Sequence, residues 1–367
     1  MSIQHENFEL RKLDHINLAK DPKTQNLTTT SFDRVRLIHE ALPDFNLSDV
    51  SLQTELLGKK FLSPHFISSM TAGNKKSIDI NLMLAQAASE KQWLMAVGSQ
   101  RRELTDTAAS DEWVKIRKKC PKTQFVSNIG LEEIVKTPID KILKLVESIQ
   151  AIGLFVHLNP LQEAFQNYDQ AQFKNGVGAL KKLVQKCPVP VLIKEVGFGI
   201  SANTAKKLFD VGISVIDVAG KGGTHWAILE GLRHKDKNNL LYDSSLAFQD
   251  WGFSAVESLI LNKNLMKKNQ FWASGGIRSG VDSYKCLALG AKAVGLAQPL
   301  MKAILDPIQN ATGSMSNDNI NFESALLSVS KVMDKFDYEL RVAMFATGVI
   351  NLRELKKKKV IYEIRNV

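Results

Sequence analysis

The chain has 367 residues, of which 44% are apolar and 23% charged, an ordinary globular mix that argues against disorder, collagen or a coiled coil. Lys and Arg number 48 against 38 Asp and Glu, a net charge of +10. Such a field attracts anions: nucleic acid, an anionic membrane or phosphorylated metabolites. Cys120, Cys187 and Cys286 are odd in number and far apart, which excludes a disulfide scaffold and a cysteine-built zinc cluster and points to a reduced, cytoplasmic protein.

No apolar run approaches the roughly 20 residues that span a bilayer. The opening residues carry Glu6 and Glu9 and lack an apolar stretch, which argues against a signal peptide. Zinc-finger spacing and an aromatic-rich RNA-binding signature are both missing. The expected partner is therefore a small molecule, with neither nucleic acid nor membrane.

Short apolar runs recur at residues 61–70, 94–99, 124–130, 153–160, 189–196, 214–220, 271–276 and 291–299. Each is apolar on both faces, as parallel strands covered by helices should be. Helix-period segments lie between them. Ile78, Leu82 and Ala85 predict a helix after the first strand. Thr137 is placed to cap a helix, with Pro138 at its first position and Ile142, Leu143, Val146 and Ile149 facing inward. Ser201 caps the next, which Gly212 stops, and Ser279 with Asp282 caps another before Gly290.

Eight strands about 30 residues apart with crossover helices predict an α/β fold, a single-domain (β/α)8 TIM barrel. A doubly wound sheet is the alternative that periodicity alone leaves open. The barrel is expected over residues 61–367, including a long C-terminal helix with Val329, Met333, Phe336 and Leu340 inward. Residues 1–60 are expected to form an N-terminal extension. The polar stretches 233–239 and 311–321 read as a mobile loop and a surface loop, and 356–359 as an exposed basic helix end.

In a barrel, chemistry comes from the C-terminal strand ends. Gly275-Gly276 with Arg278, then Gly295 to Gln298, make a phosphate cradle at strands seven and eight: glycines let backbone N–H groups approach, and Arg adds charge. Lys194 ends an apolar strand, where a charge is costly unless it is paired or used. It suits a Schiff-base lysine, a cation beside an anionic cofactor ring, or an ion pair with Glu195 or Asp217. His157, Asn159, Gln162 and Glu163 form the densest polar cluster, in which Glu163 suits Mg²⁺, an ion that takes one or two carboxylates plus substrate phosphates. Arg11, Lys12 and His15 suit an anion clamp or a charged tail.

Together these residues carry a resemblance. The stretches Arg11-Lys12…His15, Ser69-Met70-Thr71, Gly98-Ser99-Gln100-Arg101, Asn128-Ile129-Gly130, His157-Leu158-Asn159-Pro160-Leu161-Gln162-Glu163, Lys194-Glu195-Val196-Gly197-Phe198-Gly199, Gly222-Gly223-Thr224, Ser274-Gly275-Gly276-Ile277-Arg278 and Leu340-Arg341-Val342-Ala343-Met344-Phe345…Thr347-Gly348 stand in order from residue 11 to 348, nearly the whole chain. They resemble the type 2 isopentenyl-diphosphate isomerases, FMN-dependent barrel enzymes. The resemblance implies that Ser69, Met70, Thr71, Ser99, Asn128, Lys194 and Thr224 hold the flavin ring and ribityl chain, and that Gly276, Ile277, Arg278, Ala297 and Gln298 hold its phosphate. It implies that Arg11, Lys12, Asn159 and Gln162 meet the substrate, isopentenyl or dimethylallyl diphosphate, that Glu163 binds Mg²⁺, and that Gln162, Lys194 and His157 are catalytic. NADPH as reductant and a homotetramer or octamer are implied as well. Ala219, Lys221 and the stretch after Ala164 depart from the family pattern. An FMN-dependent 2-hydroxyacid oxidase is the alternative on the same barrel. It needs a His-x-x-Arg pair, whereas Arg233-His234 has the reverse order.

Overall fold

The computed structural model describes residues 14–15, 18–19, 21–25, 31–70, 75–166, 171–234, 239–312 and 322–364. Eight strands close into a wholly parallel barrel: β1 (His65–Ile67), β2 (Leu94–Ala96), β3 (Phe125–Gly130), β4 (Gly153–His157), β5 (Val191–Lys194), β6 (Val215–Asp217), β7 (Gln270–Ser274) and β8 (Val294–Leu296). β8 returns to β1 in the register Val294↔His65, Gly295↔Phe66 and Leu296↔Ile67. Seven lie inside the apolar runs and β7 starts one residue before its run, at the exposed Gln270, because a strand covered on both faces leaves no room for polar alternation. Closure decides for the TIM barrel over the doubly wound sheet.

The helices follow their caps. α1 (Lys75–Lys91) and α2 (Thr107–Lys119) follow β1 and β2; α3 (Leu131–Lys136) and α4 (Ile139–Ser148) follow β3. α4 begins one residue later than Thr137 and Pro138 predict. The Thr137 N–H is already given to the Glu133 carbonyl, so Thr137 closes α3 and Pro138 becomes the cap of α4. α5 (Pro160–Gln166) and α6 (Gly176–Lys186) follow β4, and α7 (Ala202–Asp210) follows β5. Ser201 caps α7 through the Thr204 N–H, and Gly212, at φ +94°, turns the chain out of it.

Between β6 and β7 run three helices: α8 (Trp226–His234), α9 (Asn239–Leu246) and α10 (Ala255–Leu261). The expected loop at 233–239 is thereby corrected at its edges, since Arg233 and His234 end α8 and Asn239 opens α9. Residues 235–238 lie outside the described residues. Arg233 is held in place by Glu230 Oε2 at 2.8 Å and Asp14 Oδ2 at 3.3 Å. α11 (Gly280–Ala288) carries the Ser279 cap on Asp282. α12 (Gln298–Thr312) and α13 (Phe322–Phe345) pack on one another, with Val329, Met333, Phe336 and Leu340 buried as expected. α12 takes in residues 311 and 312, and 313–321 lie outside the described residues.

The bottom of the barrel is closed by a hairpin, Thr54–Leu56 with Lys59–Phe61. Its Leu56 and Phe61 enter the barrel against Phe66, Phe155 and Trp272. Burying such side chains contributes about 1.5–3 kcal/mol each. The expected division at residue 60 falls inside this hairpin. A further strand, Val35–Leu37, pairs with Ile361–Ile364, so these two segments, far apart in sequence, are fastened together. On the same underside, Asp337 of α13 accepts from Ser63 Oγ at 2.6 Å and Trp93 Nε1 at 3.0 Å, and lies 2.8 Å from His65 Nδ1. With its bottom plugged, the barrel opens at the C-terminal strand ends.

Candidate active site

An open cavity of about 270 Å³ lies at that end. Every expected site residue among the described residues lines it: Ser69, Met70, Ser99, Asn128, His157, Asn159, Gln162, Glu163, Lys194, Thr224, Gly276, Ile277, Arg278, Ala297 and Gln298. Arg11, Lys12 and Thr71 lie outside the described residues.

One wall is the cluster after β4. Asn159 Nδ2 donates to Gln162 Oε1 at 3.1 Å and to Glu163 Oε1 at 3.0 Å, while Gln166 Nε2 reaches Glu163 Oε2 at 3.3 Å. Gln162 Nε2 donates to Glu230 Oε1 at 2.9 Å. Glu230 sits in the middle of α8 and is fully buried. Burial alone would raise its carboxyl, but His15, Arg233 and Gln162 outweigh it and bring the group down to about 2. His15 Nε2 lies 2.9 Å from Glu230 Oε1, and its ring meets Trp226 edge-on. His15 is thus part of the wall rather than of a charged tail. Sequence reasoning missed Glu230. Its signal was a lone carboxylate directly after the apolar run Trp226-Ala227-Ile228-Leu229.

The adjoining wall, at the end of the neighbouring strand β5, is charged. Lys194 is buried, and its Nζ donates to the Glu195 carbonyl at 2.7 Å. Burial lowers its pKa against the pull of Asp217 and Glu195. Asp217, paired with Lys194 in the strand register, accepts from Ser274 Oγ at 2.8 Å. The Glu195 carboxylate accepts three backbone N–H groups, from Val196, Gly197 and Phe198, at 2.5–2.7 Å. Burial still pushes it up to about 7. Of the roles that the sequence left open for Lys194, a direct ion pair with Glu195 or Asp217 is not formed among the described residues: the ammonium is held by a backbone carbonyl and lines the cavity, with the two carboxylates near enough to act on its charge.

The floor is backbone. Gly275 has φ +94°, and a Cβ there would lie 1.9 Å from the Gly220 carbonyl oxygen. Arg278 Nη2 holds the Gly222 carbonyl at 2.9 Å, and the first turn of α12 starts at Gln298. Gln298 donates to Gln25, which bridges to Thr224. Ala219, at φ +39°, keeps an L residue in left-handed backbone at the cavity edge. The Oγ atoms of Ser68 and Ser69 are buried with no partner among the described residues, a cost unless a ligand supplies one.

These features fit a phosphorylated flavin. The N–H-rich glycine turn, Arg278 and the helix start suit its phosphate. The unpartnered serine hydroxyls and the Lys194 ammonium suit its ring. A lone Glu163 suits Mg²⁺ only when phosphate oxygens complete the shell; among the described residues no group of three or more His, Cys, Asp or Glu is placed to hold a metal. Among the described residues, too, no helix is long and apolar enough to cross a membrane.

The FMN-dependent dehydrogenase family model matches residues 12–124 and 157–306. An isopentenyl-diphosphate delta-isomerase of Bdellovibrio bacteriovorus is 43% identical, covering 98% of this chain and 100% of that protein. One from Oceanobacillus iheyensis is 34% identical, covering 94% of each. Among solved structures, (S)-mandelate dehydrogenase superposes with TM-score 0.62 at 18% identity, covering 94% of this chain and 97% of that one. Flavocytochrome b2 superposes with TM-score 0.62 at 17%, covering 93% and 79%. At such identities these two show the barrel alone, whereas the full-length relatives show more: this chain is an enzyme of the FMN-dependent, type 2 isopentenyl-diphosphate delta-isomerase family.

Proposed function

We propose that the protein interconverts isopentenyl and dimethylallyl diphosphate, using reduced FMN and Mg²⁺, with NADPH serving only to reduce the flavin. The carrying observation is that the 157–163 cluster and Lys194, at the ends of neighbouring strands, line a single cavity. The reaction adds a proton at C4 of the alkene and removes one from C2. An unactivated alkene is a weak base, so positive charge must be stabilised beside an acid. Reduced FMN, when bound, supplies an electron-rich ring and a protonatable nitrogen there.

The chain's own residues position and neutralise. Lys194 places a buried cation against the ring, and its bond to the Glu195 carbonyl holds it there. Arg278 and the turn at Gly275 and Gly276 hold the flavin phosphate, while Ser69, Met70, Thr71, Ser99, Asn128 and Thr224 line the ring and ribityl chain. Glu163 holds Mg²⁺ on the substrate diphosphate, which Arg11, Lys12 and Asn159 also meet. Pinning the charged head fixes which face of the alkene approaches the ring, an effect of proximity. Gln162, anchored by Glu230, orients the substrate. At about 2, Glu230 is an anion at neutral pH, so it anchors Gln162 rather than donating a proton. Homotetrameric or octameric assembly in the cytoplasm completes the reading.

The test is an anaerobic assay of isopentenyl diphosphate with FMN, NADPH and Mg²⁺. Dimethylallyl diphosphate should form. No product, together with bleaching of the flavin by lactate or glycolate, would replace this reading with a 2-hydroxyacid oxidase.

A further inference from the structure

Gln100 lies just beyond the rim of β2 and is almost fully buried. Its amide makes four hydrogen bonds, and backbone partners fix their polarity. The N–H of Asn128, which can only donate, gives its hydrogen to Gln100 Oε1 at 3.1 Å, and Ser127 Oγ donates to the same oxygen. Gln100 Nε2 donates to the Leu145 carbonyl, which can only accept, at 3.3 Å, and to Glu103 Oε2 at 3.2 Å. Turning the amide over would set oxygen against oxygen at one end and N–H against N–H at the other.

The need for such a side chain comes from the strands. β2 stops at Ala96, with one last bond from the Val97 N–H to the Val126 carbonyl, whereas β3 runs on to Gly130. Past that point the buried N–H of Asn128 has no strand to pair with, and leaving it bare is costly. The Gln100 amide takes the place of the missing strand and so fixes where Asn128 stands.

Asn128 passes the polarity on. Its Nδ2 donates to the Val97 carbonyl at 3.1 Å. The atom 3.0 Å from His157 Nδ1 is therefore its oxygen, which only accepts, so Nδ1 must carry a hydrogen. Nε2 is then the ring nitrogen whose protonation can change. Gly130 leaves room for it, since a Cβ there would come within 3.1 Å of that atom.

We propose that Gln100 is a positioning residue for the isomerisation. Through Asn128 it holds the His157 imidazole with Nδ1 protonated, so that any proton exchanged at the cavity passes through Nε2. This rests on the reading of His157 as a working residue of the site, but not on turnover.

The test is nitrogen NMR of the FMN-loaded enzyme with ¹⁵N-labelled histidine, the His157 signals being assigned by their loss in His157→Gln. In the wild type, Nδ1 should show its bonded proton across about pH 6–8. Gln100→Met keeps the length of the side chain and removes all four bonds. There the Nδ1 proton should be shared between both nitrogens, and kcat should fall roughly 10–100-fold with KM changed less than about twofold. Asn128→Asp keeps an acceptor on Nδ1 and adds a charge, so His157 should become doubly protonated at higher pH than in the wild type. A wild-type His157 with bare Nδ1, or a folded Gln100→Met with unchanged ring signals, overturns the proposal. If Gln100→Met does not fold, the wild-type and Asn128→Asp spectra decide alone. Loss of isomerase activity in the wild type would defeat the functional reading and leave the tautomer result standing.

Discussion

The Gln162 amide and the Glu230 carboxylate, 68 residues apart in sequence, meet at 2.9 Å in the wall of the cavity, both buried. Neither position is free to change alone. Glu230 needs Gln162, His15 and Arg233 to remain charged without water, and Gln162 needs Glu230 to hold its amide in one orientation.

Glu230 accordingly links stability to pH. Its carboxyl falls from 4.5 to about 2 in the folded chain, so the stabilisation is present above about pH 4.5 and is lost as pH falls toward 2. At about 1.4 kcal/mol per unit this is roughly 3 kcal/mol. Urea unfolding of wild type and Glu230→Gln at successive pH values should show a steeper acid loss in the wild type. Parallel curves would show that Glu230 is not ionised in the folded state.

Lys194→Ala should weaken FMN binding roughly 10–100-fold, the effect of removing one charge-assisted contact. Titration of the apoprotein followed by flavin fluorescence measures it. An unchanged affinity would move Lys194 away from the ring.

Glu163→Gln should raise the Mg²⁺ concentration needed for half-maximal turnover by about tenfold or more, because the amide brings no charge to a hard cation. FMN affinity should stay the same. Equal metal dependence in both proteins would take Glu163 out of the metal site.

Asp337→Asn tests the other end of the barrel. Asp337 collects Ser63, His65 and Trp93 on one carboxylate. The variant should lose about 1–3 kcal/mol in urea unfolding, with FMN affinity intact. A variant that releases flavin at wild-type stability would contradict the separation of the plugged bottom from the site.

The barrel was legible because its strands are apolar on both faces and their helices carry Ser caps and Gly stops, as at Ser201 and Gly212. The Gly-rich ends of β7 and β8 and the 157–163 cluster were legible because small and polar residues break apolar runs there. Glu230 was not, since nothing local says that α8 turns this residue toward Gln162; the pairing is tertiary. Gln100 stood inside a recognised stretch, yet its use depends on β2 stopping before β3, a difference of strand length that periodicity does not reveal. Thr137 misled because one residue can end one helix as easily as it can begin the next.

The most direct test of the account is anaerobic turnover of isopentenyl diphosphate with Mg²⁺ and FMN reduced by dithionite, nicotinamide being omitted. The account predicts dimethylallyl diphosphate over many turnovers with no further reductant consumed. Equal turnover with oxidised flavin, or one reductant consumed for each product formed, would contradict it.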